Sequence, residues 1–464
     1  MDIDAKQFLR TLYDSAVKQA LPKGNMAAYL PDTLFTQVGN KRGRTVVIGA
    51  GKAAASMAQE LELIWRKKVP ANLSSEASSK AVSKFSAAAK QSHDSETVVE
   101  STGGKLEGLV VTRYGHTAAC DMIEVIEASH PVPDAMGMAV GERVLELVSG
   151  LNEEDTLICL ISGGGSALLS LPAPGITLAE KQAINKSLLR SGAAIDEMNC
   201  VRKHLSALKG GRVAKLAYPA QVITLAISDV PGDDLSVIAS GPTVPDNTTR
   251  FDALAILERY KIDIPASAFQ WLNQPESETV KPNDPCWSRC QNHLIATPQL
   301  ALEAAAADAE GMGIPAYILS DSMEGEARDV AKVHAALARQ IVSHQQPFQT
   351  PCVLISGGET TVTVKGEGRG GRNCEFLLSL LNELKGLHRV YAIAADTDGI
   401  DGVEDNAGAW VTPETWARAQ ALELNPDSYL DNNNSYAFFE KTQSLIFTGP
   451  TLTNVNDFRA ILIV

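Results

Sequence analysis

Glycine-rich turns recur at the ends of strand-like apolar runs in this chain, each with a charged or hydroxylated residue at its mouth. Gly49-Ala50-Gly51-Lys52 closes the run 46–48. Ser162-Gly163-Gly164-Gly165-Ser166 follows the run 157–161. Arg369-Gly370-Gly371-Arg372 comes shortly after Ser356-Gly357-Gly358-Glu359. Backbone without side chains can approach an anion closely and turn several N–H groups toward it. Several such turns predict one polyanion cradle built from separated parts of the chain. They also constrain the fold, because a repeated strand-turn-helix rhythm gives a mostly parallel sheet with helices on both faces. Ligands then bind beyond the carboxyl ends of the strands.

The rhythm predicts strands at 45–49, 109–112, 123–128, 156–161 and 221–227, with helices at 52–64, 136–150 and 178–190 between them. After a loop-like stretch near Pro275 and 282–290 it resumes. Strands are expected near 293–296, 315–319, 352–356 and 390–395, helices at 299–311, 326–341 and 373–384, and a hairpin at 353–365. A length of 464 residues exceeds one ordinary core. The expected fold class is therefore α/β in two domains. A Rossmann-like, mostly parallel α/β/α domain covers 1–265 and a smaller α/β domain covers 290–464. Residues 71–105 are rich in Ser, Ala and Lys and predict a flexible surface insertion.

A net charge of −14 argues against a nucleic-acid partner, which needs a basic face. It leaves room for an anionic small molecule in a locally basic cleft. No apolar run is long enough to span a bilayer, and the acidic opening Met1-Asp2-Ile3-Asp4 has no signal-peptide pattern. Seven scattered cysteines fit reduced thiols, so a cytoplasmic setting without a membrane partner is expected. A homo-oligomer is compatible with all of this.

Gly49-x-Gly51-x-x-Ala54 fits the relaxed dinucleotide fingerprint, and Arg113 at the end of the next strand suits the NADP form of it. Lys52 in the first helical turn is disfavoured by the helix dipole unless an anion sits there too. Ser162, Gly163, Gly164, Gly165 and Ser166 form a natural anion nest, without the Gly-Lys-Ser/Thr ending of a Walker A loop. Asp229, Asp233 and Asp234 cluster at one strand end, and Asp396, Asp398 and Asp401 at another. Carboxylates there suit magnesium shared with phosphate, a general base, or plain turn and cap duty. Arg202 and Lys209 suit a carboxylate or phosphate, and Arg369 and Arg372 a phosphoryl group. His116 and His130 lie near strand ends and read first as structural histidines.

These stretches together resemble the class II glycerate kinases, the two-domain family whose C-terminal part is called the MOFRL domain. The resemblance covers nearly the whole chain outside 71–105. It is carried by residues 47–56, 108–116, 127–134, 160–169, 199–212, 227–246, 354–376 and 394–409. It implies ATP-dependent phosphorylation of D-glycerate at its 2-hydroxyl, giving 2-phosphoglycerate at an interdomain cleft with Mg2+ or another divalent cation. It implies that Lys52 and Arg372 (or Arg369) are important for activity, and that 162–166 and 229–234 line the site. With Asp229 as candidate base, Lys52, Arg372 and Asp229 form the expected catalytic set. Gly49, Gly51, the 162–166 loop and Arg369 form the expected nucleotide set, Arg202 and Lys209 the substrate set, and Asp233, Asp396 and Asp398 the metal set. The chain departs from the family at Cys374, where a glutamine is expected, and at Thr297-Pro298. Two alternatives stay open: an NADP-dependent hydroxypyruvate reductase, resting on 49–54 and Arg113, and a non-catalytic nucleotide or sugar-phosphate sensor.

Overall fold

The structure, a computed structural model, describes residues 4–35, 43–69 and 106–464. The expected insertion at 71–105 lies outside the described residues. The chain divides into two compact units. One comprises Met26–Ala226 and Leu235–His293; the other comprises Met1–Asn25, Ile227–Asp234 and Leu294–Val464.

The first sheet contains β1 (Thr45–Ala50), β2 (Leu106–Arg113), β3 (Ile123–Ala128), β4 (Thr156–Ile161), β5 (Gln221–Ile227) and β6 (Cys290–Ala296), in the order β3-β2-β1-β4-β5-β6. β1 pairs in parallel with β2 and β4, β2 with β3, and β4 with β5. β1 is buried along its whole length, as a central parallel strand covered on both faces should be. The strand order reverses between β1 and β4, where Ala50 lies opposite Ile161. Such a switch point leaves a crevice at the strand ends. The turns 49–52 and 162–166 are the two chain segments that leave it.

The second sheet is mixed. Its strands are β7 (Ala316–Ser320), β9 (Cys352–Ser356), β11 (Val390–Asp396), β12 (Gly408–Val411), β13 (Leu445–Ile446) and β14 (Asp457–Ile463), in the order β13-β12-β11-β14-β9-β7. The C-terminal strand β14 lies between β11 and β9, antiparallel to both. The expected hairpin at 353–365 does not form. Gly358 has a φ of +107°, the amide of Gly357 bonds to Ser320, and the chain runs on to β10 (Thr360–Thr361). That short strand pairs in parallel with β8 (Gly325–Glu326) rather than folding back on β9.

The compact units do not follow the expected linear boundary. The helix Ala5–Ala20 groups with the C-terminal part because Phe8, Leu9, Leu12, Tyr13 and Ala16 form one buried stripe. That stripe packs on the helix Pro298–Gly311 and on β11 and β14. The Tyr13 hydroxyl also donates to the Asp396 carbonyl at 2.9 Å.

Candidate functional site

At the switch point, the turn after β1 is not an open nest. The amide of Gly51 donates to the Val111 carbonyl (3.1 Å), that of Lys52 to the Gly163 carbonyl (2.9 Å) and that of Ala54 to Gly51 (3.1 Å). The amide of Ala53 donates to the Ser162 hydroxyl at 3.0 Å. A Cβ at Gly49 would collide with Leu160 and Val110, and one at Gly51 with Ser162. The expectation that Gly49 and Gly51 bind nucleotide is therefore corrected: their missing side chains let β1 approach β2, β4 and the Ser162 loop. The same bonds disfavour a dinucleotide reading, since these are the amides a pyrophosphate would need.

The loop after β4 is different. Among the described residues no hydrogen bond occupies the amides of Gly163, Gly164 and Ser166. Gly164 has a φ of +81°, the left-handed conformation that glycine adopts without strain. A Cβ there would stand 3.1 Å from the His130 ring and 3.6 Å from Cγ of Lys52. His130 and Lys52 thus flank an unfilled amide nest. Gly165 has a packing reason, since a Cβ would press on Ala239 and the Ala50 carbonyl. The Ser166 hydroxyl lies 2.6 Å from that of Ser240. Ala239 and Ser240 have φ of +50° and +60°. For non-glycine residues that costs about 1–3 kcal/mol each, strain that gathers at functional sites.

Ser166 also leads to the predicted cations. Lys209 Nζ donates to the Ser166 carbonyl at 2.6 Å, and Lys181 Nζ donates to the carbonyls of Ser170 (3.3 Å) and Leu171 (3.4 Å). Burial first, then Lys181 and Arg202, hold the Lys209 ammonium well below its ordinary range. Burial likewise lowers the Arg202 guanidinium, and burial together with Arg202 brings Lys181 down to about 7. The structure therefore brings together Lys52, the 162–166 loop, Arg202 and Lys209. Sequence reasoning missed Lys181, although a signal existed. On the helix Leu178–Ser191 it shares one buried face with Ile184 and Leu188, where an apolar residue belongs.

In the other unit, Arg372 opens the helix Arg372–Leu384 and is held by carboxylates. Its Nε meets Asp457 at 2.8 Å, one Nη meets Asp396 at 2.7 Å, and the other lies 3.4 Å from Glu359. Although burial opposes it, Asp457 and Asp396 hold this guanidinium well above its ordinary pKa. Asp457 also accepts from Asn373 (2.7 Å) and pairs with the fully buried Arg459. An arginine waiting for a phosphoryl group is the expectation; an arginine neutralised by its own chain is the finding. Asp401 accepts the amides of Asn373 (3.0 Å) and Cys374 (2.9 Å), occupying the helix N-terminus. Burial still pushes the Asp401 carboxyl up. Arg369 is drawn aside, paired with Glu404 (3.1 Å) and lying over the Tyr436 ring. The Cys374 side chain is buried and accepts from Asn406 at 3.2 Å, and Thr297 caps the helix Pro298–Gly311. Both departures from the family pattern thus have structural duties.

The expected metal ligands also separate. Asp396 is used up: Oδ2 holds Arg372 and Oδ1 accepts the Asp398 amide at 2.9 Å. Asp398 Oδ1 accepts the Ile400 amide at 2.9 Å, a turn contact. Asp233 differs, since its Oδ1 is buried with no hydrogen-bond partner. Among the described residues no three His, Cys, Asp or Glu side chains gather as a cage. A magnesium ion shared with phosphate needs only one or two carboxylates, and the lone Asp233 oxygen fits that need. Asp229, four residues earlier, is fixed by Asn454 on its Oδ2 (3.1 Å) and by Asn456 on its carbonyl (2.6 Å). These two asparagines, Asp457 and Arg459 lie far from the motifs. Only the charges inside the buried strand β14 signalled any of them.

An amide nest beside cations, at the switch point of a parallel sheet, is an arrangement suited to a small anion in an α/β protein. The family described as "Domain of unknown function (DUF4147)" matches residues 8–273, and the MOFRL family matches residues 352–457. A D-glycerate 2-kinase of Thermotoga maritima is 39% identical, over 100% of this chain and 97% of its own. An Agrobacterium vitis protein with the provisional name hydroxypyruvate reductase is 46% identical, over 100% of this chain and 95% of its own. The crystal structure of glycerate kinase from Thermotoga maritima superposes with a TM-score of 0.82 at 38% identity, covering 99% of both chains. The chain belongs to the class II glycerate kinase family, whose C-terminal part is the MOFRL domain. It is a kinase by that membership. Among the described residues no helix is long and apolar enough to cross a membrane.

Proposed function

We propose that this protein transfers the γ-phosphoryl group of ATP to the 2-hydroxyl of D-glycerate, giving 2-phosphoglycerate and ADP. One observation carries the reading. An amide nest and the buried Lys209, which has Arg202 near it, are joined through a single residue, Ser166. A phosphate on the nest and a carboxylate on the cations would then be held side by side by one loop.

In this reading the amides of Gly163, Gly164 and Ser166 cradle phosphate oxygens, and Lys52 neutralises charge on the group in transfer. Arg202 and Lys209 hold the glycerate carboxylate. The 2-oxygen bonds to the γ-phosphorus as the bridging oxygen departs with ADP, and the hydroxyl proton passes to Asp229. Asp233 would hold a divalent cation, which supplies charge neutralisation on the phosphates when bound. Arg372 keeps Asp396 and Asp457 in place and acts by organising its surroundings. Positioning supplies most of the acceleration, because phosphoryl transfer asks little covalent chemistry of the protein.

The reductase name of the Agrobacterium vitis relative keeps the reductase reading in view. Its dinucleotide would have to displace the internal bonds of residues 51–54. Incubation with D-glycerate and ATP, and separately with hydroxypyruvate and NADPH, decides between them. ADP release only in the first mixture is expected; NADPH oxidation only in the second would reverse the assignment.

A further inference from the structure

Three cations lie in one buried cluster without a carboxylate. Lys181 and Lys209 are 3% and 2% exposed. Among the described residues they meet only neutral carbonyls, and Arg202 only Asn199 Oδ1, at 3.5 Å. The adjoining residues are treated otherwise. Lys203 is paired with Asp246 at 3.2 Å and His204 with Glu278 at 3.2 Å. The helix Ile195–His204 thus has carboxylates against one side and none against Arg202. The Ser170 hydroxyl, whose carbonyl receives Lys181, is fully buried and has no hydrogen-bond partner. Burying one unpaired charge is costly, and three together ask for an anion to complete them.

We propose that Lys181 is the third member of the acceptor's carboxylate seat, and that the seat takes up a proton as the acceptor binds. This rests on the kinase reading of the same loop. Arg202 is the partly open member and forms the mouth, so the seat suits a small hydroxycarboxylate rather than a triphosphate chain. Lys181 faces Arg202 and Lys209, together with the carbonyls of Ser170 and Leu171. Burial and Arg202 hold its ammonium near 7. An arriving carboxylate favours the charged form, so the proton is drawn in from solvent.

The test uses the full chain with D-glycerate and ATP at pH 7. In Lys181→Met, KM for D-glycerate should rise about ten- to a hundredfold, the scale of one charged hydrogen bond, with KM for ATP nearly unchanged. Lys181→Arg should restore most of it. Calorimetric titration of D-glycerate in two buffers of unlike ionisation enthalpy should show proton uptake in the wild type and a smaller uptake in Lys181→Met, where Lys209 alone is left to take a proton; equal uptake in the two would overturn the proposal. Lys181→Gln provides the same comparison if the methionine variant fails to fold. An unchanged KM for D-glycerate in an active variant would overturn the seat while leaving the kinase reading intact. A rise in KM for ATP alone would assign the cations to the nucleotide and overturn it equally. Absence of any glycerate turnover in the wild type would sink the kinase reading and the seat together.

Discussion

Lys52 and Arg372 carry similar charges at the mouths of similar turns, yet their surroundings assign them different work. Lys52 flanks the amides of Gly163 and Gly164, to which no hydrogen bond runs among the described residues, whereas Arg372 lies between Asp457 and Asp396. Lys52→Ala should therefore lower turnover by at least about a hundredfold, the scale of losing one preorganised donor. Arg372→Ala should lower turnover and also cost about 3–5 kcal/mol of stability, since it strands buried carboxylates. Activity assays and thermal melts on the two variants check this; near-normal turnover in Lys52→Ala, or an unchanged melt in Arg372→Ala, would contradict it. Sequence could name both residues, because each closes a short motif. It could not name their partners: Asp457 lies 85 positions beyond Arg372, and Asp401 looks like any turn aspartate.

At the scale of elements, the helix Leu178–Ser191 places an ammonium where its buried face should be apolar. Lys181 titrates near 7 in the folded protein against about 10.5 ordinarily. Between those values the unfolded chain binds more protons, so stability rises with pH across the window. Below 7 the folded protein carries the full cost of the buried charge. Lys181→Met should therefore melt higher than the wild type at pH 6, and the gap should close as pH rises toward 10. Melting curves at several pH values check this, and a gap that widens with pH would refute it. Strands were the most legible elements. Ile123–Ala128, Thr156–Ile161, Gln221–Ile227 and Cys352–Ser356 have the bounds their apolar runs predicted. The hairpin at 353–365 was misread because the pairing of Thr360–Thr361 with Gly325–Glu326 is long-range and leaves no local pattern.

For the whole molecule, the α/β class was legible from the strand-turn-helix rhythm, but grouping along the chain was not. The helix Ala5–Ala20 belongs with residues nearly three hundred positions away, a choice made by an apolar stripe that any partner could have covered. The internal bonding of the glycine turns was equally hidden. Three glycine turns looked alike in sequence, while the structure bonds the amides of residues 51–54 from within and, among the described residues, gives those of Gly163, Gly164 and Ser166 no partner. The net charge of −14 gave no hint of a carboxylate-free cation cluster, because a sum does not report where its terms lie. The most direct test of the account is phosphorus NMR of the product formed from D-glycerate and ATP. The account predicts a single new phosphomonoester signal, that of 2-phosphoglycerate, lost in Lys52→Ala. A signal at the 3-position, or no transfer by the wild-type protein, would contradict it.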